Sequence, residues 1–182
     1  MKTEPLVSII MNCLNGEKYL KFSLRSIIEQ DYKNWELIFW DNKSSDNSFK
    51  IVKSFRDKRI RYFRANKKTV LYEARNLAIK KARGKFIAFL DVDDFWSKDK
   101  LSKQIPKFKN KNVGLVYSNF YKYYDSTKKK KIAFKNKLPR GKVTVDWKII
   151  LQYSSFISRV FDTVWAISSV LSRMAAILFC SE

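Results

Sequence analysis

The run Asp91-Val92-Asp93-Asp94 sets three carboxylates directly behind the uncharged segment 86–90. Like charges so close together repel unless a cation joins them, and hard divalent ions take oxygen ligands. Mg2+ typically holds one or two protein carboxylates and completes its shell with substrate phosphates and water. The chemistry this spacing supports is therefore binding of a nucleoside diphosphate through Mg2+ or Mn2+, with Asp91, Asp93 and Asp94 as the candidate metal-facing groups. A second reading makes Asp93 and Asp94 capping or charge-complementing acids for a helix suggested over 97–108.

Other reactive groups are scarce. Histidine is absent, which excludes a Ser-His-Asp triad, a Cys-His dyad and histidine-ligated zinc, and leaves carboxylates as acid and base. Cys13 and Cys180 stand near opposite ends without metal-ligand spacing, a pattern that suits a reducing compartment. Thr3, Glu4 and Pro5 interrupt any apolar leader. A cytoplasmic protein is expected, with a peripheral place on the inner face of the membrane as a further option.

The elements that must position the carboxylates read as alternating strand and helix. Strands are predicted over 6–11, 35–40, 60–64 and 86–90, from short apolar or β-branched runs. Helices are predicted over 17–30, from Ser44 or Ser45 as N-cap through 55, and over 70–82 before the breaker Gly84. Four such alternations imply right-handed crossovers and a mainly parallel sheet with helices on both faces. In open α/β sheets the ligand crevice lies outside the carboxyl ends of the strands, where Asp91 to Asp94 would sit. After 113 the pattern changes to extended segments flanking Lys128-Lys129-Lys130-Lys131, antiparallel at a sheet edge.

Within 149–180, apolar residues recur every three or four positions, as in one or two amphipathic helices. The reading is thus a domain over 1–147 and a helical tail over 148–182. The tail would pack on the domain, lie at a membrane interface or pair two copies. Its longest uncharged stretch, 163–172, is shorter than the roughly 20 residues of a membrane span.

Net charge is +21, and between Lys98 and Lys142 15 Lys and Arg face only Asp99 and Asp125. Such a bias predicts polyanionic company: nucleotide phosphates, an anionic membrane surface or nucleic acid. Nucleic acid is the weakest of these, because no RNA- or DNA-reading motif accompanies the charge. A solvated lysine surface is the plain alternative.

Four blocks, PLVSIIMNCLNGEKYL (5–20), WELIFWDNKSSDNS (35–48), ARNLA (74–78) and LDVDD (90–94), resemble the family-two glycosyltransferases in order and spacing. The resemblance covers roughly residues 5–120 and implies a GT-A fold, a nucleotide-sugar donor, with UDP as the nucleotide, and Mn2+ or Mg2+. It implies inverting transfer to a saccharide, lipid or protein acceptor, as in polysaccharide assembly.

Carried over by position, Cys13, Leu14 and Asn15 form the loop facing base and ribose, and Asp41 helps hold the nucleoside. Asn42 stands where many relatives have a second aspartate. Arg75 would approach the diphosphate, Asp93 the ribose and metal, and Asp94 the metal, with Asp91 as first member of the Asp-x-Asp motif. Asp41, Asn12 and Asn15 also read as simple turn formers, and Arg75 as a solvated helix residue.

Inverting transfer also needs a carboxylate base. Only Asp125, Asp146, Asp162 and Glu182 follow Asp99, and none falls in a matching block, so the catalytic residue is unknown from sequence. The acceptor half reads as truncated or divergent. The alternative functions are a donor-binding domain without transfer and a membrane-surface adaptor.

Overall fold

The structure is a computed structural model describing residues 4–116, 118, 120–124, 126–132 and 177–179. Strands β1 (Val7–Cys13), β2 (Trp35–Asp41), β3 (Ile60–Arg64) and β4 (Phe86–Phe89) alternate with helices α1 (Glu17–Ile28), α2 (Ser48–Ser54) and α3 (Leu71–Ile79). Parallel strands covered on both faces read as continuous apolar runs. Accordingly Val7, Ile9, Ile10 and Met11 of β1 and Leu37, Ile38 and Phe39 of β2 are at most 1% exposed.

β1 pairs in parallel with both β2 and β4, and β2 with β3. The chain therefore winds outward from β1 to β3, then crosses back to lay β4 on the other side of β1. Right-handed crossovers in opposite directions deliver helices to opposite faces. Ile10, Ile38, Trp40 and Ile87 pack with Ala74 and Ala78 of α3, whereas Phe39, of opposite parity to Ile38, stacks on Tyr62, which meets Phe49 of α2. The winding reverses between β1 and β4, and at such a switch point the strand ends part and leave a crevice.

The opposite end of this strand pair is locked by a polar hub. Ser8 Oγ donates to Glu36 Oε1 at 2.7 Å and accepts from Gly84 N–H at 2.8 Å. A Cβ on Gly84 would come within 2.5 Å of Ser8 N and 2.8 Å of the Leu6 carbonyl oxygen, so this turn requires glycine. That approach fixes β4 in register with β1, Val7 opposite Phe86, and hence the height at which Asp91 leaves the sheet.

Beyond β4 come α4 (Lys100–Gln104), a 3-10 helix (Ile105–Lys109) and β5 (Leu115–Val116). The continuous helix expected over 97–108 starts later and tightens because Pro106, near the start of the 3-10 turn, has no N–H for an α-helical bond. Of the expected helical tail, Ile177–Phe179 is instead β8, a strand antiparallel to both β4 and β5. An apolar run this short carries no period that separates strand from helix, and pairing on both sides supplies the backbone bonds. The rest of 148–182 and the expected boundary at 147 lie outside the described residues.

The chain divides into two compact units, Met1–Val116 with Ile177–Glu182, and Tyr117–Ala176. In the second unit, β6 (Tyr121–Tyr124) and β7 (Lys129–Ile132) form a two-stranded antiparallel hairpin, separate from the six-stranded sheet. No helix among the described residues is long and apolar enough to cross a membrane.

Candidate functional site

Two loops leave the sheet side by side, after β1 and after β2, and each caps the other. Asp46 Oδ2 accepts the Glu17 N–H at 2.9 Å, while Glu17 Oε2 accepts the Asn47 N–H at 2.7 Å. Ser44 Oγ accepts from Asn15 N–H at 3.0 Å, Ser48 Oγ from Gly16 N–H at 3.1 Å, and Asn15 Oδ1 from Ser45 N–H at 2.8 Å. Orphan N–H groups at the starts of α1 and α2 are thereby satisfied from the neighbouring loop. Ser44 and Ser45, expected to cap α2, instead serve the loop after β1, and α2 starts from Asn47 without a side-chain cap. Asn15 adopts a left-handed conformation, φ 55°, which asparagine tolerates.

Asp41 belongs to this framework. It is fully buried, its Oδ1 accepts Ser44 N–H at 2.6 Å, its Oδ2 receives the Tyr62 hydroxyl, and Arg64 Nη1 stands 3.8 Å away. Burial, with the Asp41 carboxylate beside it, pushes the Tyr62 phenol up to about 12. Burial likewise raises the Cys13 thiol, whose sulfur lies 3.4 Å from Ser48 Oγ, so Cys13 is a packed thiol and not a thiolate nucleophile.

On the α3 side, a pocket of about 130 Å³ opens between Asn12, Cys13, Leu14, Asn42, Thr69, Leu71 and Ala74. Pockets that enclose whole ligands typically measure ~300–1,000 Å³, so this one suits a single ring. Asn42 shapes its wall: Nδ2 donates to the Thr69 carbonyl at 2.7 Å and Oδ1 accepts the Thr69 N–H at 3.0 Å. Asn12 differs, since its Nδ2 is buried without a hydrogen-bond partner. Among the described buried side-chain atoms without partners, it alone belongs to a residue lining the pocket. An unmet buried donor is costly, and here it stands at a cavity a ligand acceptor can enter.

The carboxylates follow β4 in a tight turn closed by Asp94 N–H to the Asp91 carbonyl, 3.1 Å. Helix α1 holds this turn from one side. Ser23 Oγ lies 2.6 Å from both the Val92 and Asp94 carbonyl oxygens, Ser26 Oγ accepts Trp96 N–H at 3.2 Å, and Gln30 bonds the Ser97 carbonyl and Leu101 N–H. A Cβ on Gly16 would lie 3.1 Å from Val92 Cγ2, so the loop after β1 packs directly on the turn. From α3, Arg75 Nη2 donates to Asp91 Oδ1 at 2.7 Å. Asp93 is exposed and Asp94 half-buried.

Among the described residues no three His, Cys, Asp or Glu side chains gather into a protein-only metal cage. Arg75 occupies Asp91 Oδ1, so the turn offers a cation the carboxylates of Asp93 and Asp94 together with Asp91 Oδ2. That hard, incomplete oxygen set fits Mg2+ or Mn2+ completed by phosphate oxygens and water. Asp93 and Asp94 would hold the ion.

The structure thus gathers Cys13, Leu14 and Asn42 at the pocket, sets Asn15 and Asp41 into the loop framework, and joins Arg75 to Asp91. Asn12, weighed in the sequence as a turn former, instead lies within β1 and lines the pocket, and sequence reasoning passed over Ser23, Ser26 and Gln30. Their signal was a polar ridge along α1 and just past its end, interleaved with Leu20, Leu24 and Ile27. Asp125, Asp146, Asp162 and Glu182, the carboxylates available as a base, lie outside the described residues.

The sequence profile of Glycosyl transferase family 2 matches residues 8–166. A relative from Escherichia coli, the UDP-Glc:alpha-D-GlcNAc-diphosphoundecaprenol beta-1,3-glucosyltransferase WfgD, is 43% identical over 115 residues, 63% of this chain and 46% of its own length. The chain therefore spans about half the length of that relative. Among solved structures, TarS 1–349 of S. aureus in complex with UDP-GlcNAc superposes with TM-score 0.61 and 24% identity, over 74% of this chain and 37% of that one. The mannosyltransferase PcManGT from Pyrobaculum calidifontis, in complex with GDP-Man and Mn2+, gives 0.60 and 22% identity, over 64% and 36%. The fold is the GT-A arrangement, and with the profile matching most of its length the chain belongs to glycosyl transferase family 2.

Proposed function

We propose that this chain binds a UDP-sugar with Mn2+ or Mg2+ and serves inverting transfer of the sugar to a lipid-linked saccharide. The observation that carries the reading is the junction at the β1 and β4 ends: a ring-sized pocket with the unmet Asn12 donor, packed through Gly16 against the turn bearing Asp93 and Asp94. Either carbonyl oxygen of a uracil ring would supply the acceptor that Asn12 Nδ2 lacks. Leu14, Leu71 and Ala74 supply apolar walls for the ring. The relative's lipid diphosphate acceptor motivates the acceptor class.

In this reading Asp93 and Asp94 would hold the ion, which when bound would supply charge neutralisation for the leaving diphosphate. Arg75 keeps Asp91 paired, so that the turn presents Asp93 and Asp94. The α1 hydroxyls fix the turn's backbone. A carboxylate that takes the acceptor hydroxyl proton would complete the site. UDP binding without turnover would favour the donor-binding alternative.

Calorimetry tests the reading. UDP should bind at least tenfold more tightly with Mn2+ than without, Asp94→Ala should remove that gain, and Asn12→Leu should weaken UDP in both conditions. Equal UDP affinity with and without Mn2+, in the parent chain and Asp94→Ala alike, would sink it.

A further inference from the structure

The described side chains of the β6–β7 hairpin are exposed: Tyr121, Tyr123 and Tyr124 are 67%, 45% and 46% exposed, and Lys122, Lys129, Lys130 and Lys131 are exposed too. The register sets Lys122 opposite Lys131, Tyr123 opposite Lys130 and Tyr124 opposite Lys129. Residues two apart on a strand share a face, so one face carries Lys122, Tyr124, Lys129 and Lys131. Like charges directly opposite on paired strands destabilise the pair, and an anionic partner relieves that repulsion.

We propose that this hairpin is a docking surface for an anionic lipid bilayer. Charge complementarity selects a polyanion, and the side-chain chemistry selects the bilayer. All the basic groups here are lysines, compact ammonium charges suited to a diffuse headgroup field; the hairpin lacks the arginine fork that reads nucleic-acid phosphates and bases. Tyrosines with an apolar ring and a polar tip settle at the headgroup level. The proposal is independent of the donor pocket, whose residues it does not use.

Vesicle cosedimentation of the full chain tests it, with phosphatidylglycerol vesicles against phosphatidylcholine vesicles. A lysine near an anionic surface contributes about fivefold in partition, so Lys122→Gln/Lys129→Gln/Lys131→Gln should lower binding to the anionic vesicles roughly 100-fold. A control with the same loss of charge, Lys107→Gln/Lys109→Gln/Lys111→Gln, should lower it less than about fivefold. Changing the same three hairpin lysines to Arg should retain binding, and UDP affinity should be unaltered throughout. Equal losses in the two triple variants, or parent binding to phosphatidylcholine as strong as to phosphatidylglycerol, would each overturn the assignment.

Discussion

Arg75 on α3 and Asp91 after β4 meet at 2.7 Å, with the guanidinium side chain 9% exposed and the carboxylate 31%. Neither residue lines the ring-sized pocket, yet their contact joins the helix that walls it to the turn that carries Asp93 and Asp94. The pair explains how one helix sets the position of both halves of the site.

Removing the guanidinium should therefore cost stability as well as affinity. Arg75→Ala is expected to lower unfolding free energy by about 1.5–3 kcal/mol, the range for hydrogen bonds to charged groups, in urea titrations at pH 7. Arg75→Lys should restore less than half, because a point charge does not reproduce the fork. A change below about 0.5 kcal/mol would show that the contact holds nothing in place.

Ser23 makes a sharper case, since its hydroxyl bonds backbone carbonyls of the turn and of its own helix. Loss of a group that orients metal-facing carboxylates typically costs 10–100-fold in metal affinity. Ser23→Ala should weaken Mn2+-supported UDP binding by about that factor and change metal-free binding less than twofold. Equal weakening in both conditions would place the effect in the base pocket.

Lys100 predicts a pH dependence. Burial pushes its ammonium down to about 7, whereas an unfolded lysine titrates near ~10.4. Between those values the unfolded chain holds more protons than the folded one, so stability rises with pH from about 7 to about 10 and is flat, at its lower level, below 7. Lys100→Met should erase that slope and raise stability at pH 7 by about 1–4 kcal/mol, with the two proteins converging near pH 10. Thermal melts across that range check the sign.

Two glycines should respond differently to alanine. At Gly84 a Cβ meets backbone of β1 and the residue before it, which cannot give way, and Gly84→Ala should destabilise by about 3 kcal/mol or more. At Gly16 it meets the Cys13 sulfur at 3.0 Å and Val92 side-chain atoms, which can shift. Gly16→Ala should be milder in melting experiments and more damaging to Mn2+-supported UDP binding, because Val92 belongs to the carboxylate turn.

Much of this was legible in the chain itself. β1, β2 and β4 announced themselves because strands covered on both faces must be largely apolar, and β3, an edge strand carrying Arg61, ends where its pattern ended, at Arg64. The carboxylate turn was visible for the same reason, as charge following an uncharged strand. Partnership was not visible. Nothing in the spacing of Arg75 and Asp91 says that a helix arriving from β3 lies over the end of β4, and a guanidinium suited to a diphosphate is equally suited to a carboxylate. Asp41 shows the same limit: its acidity was plain, but the Tyr62 hydroxyl that takes its second oxygen is brought there by tertiary packing. Three residues, Ile177–Phe179, carry too little pattern to reveal a strand whose partners are remote in sequence.

The mutual bonding of Glu17 with Asn47 and of Asp46 with Glu17 makes a clasp between segments about thirty residues apart. Neither jaw can open without releasing the other, so amide hydrogens on both should exchange with solvent as one cooperative group, at one shared opening free energy. A molecule seated against either jaw would slow exchange in both.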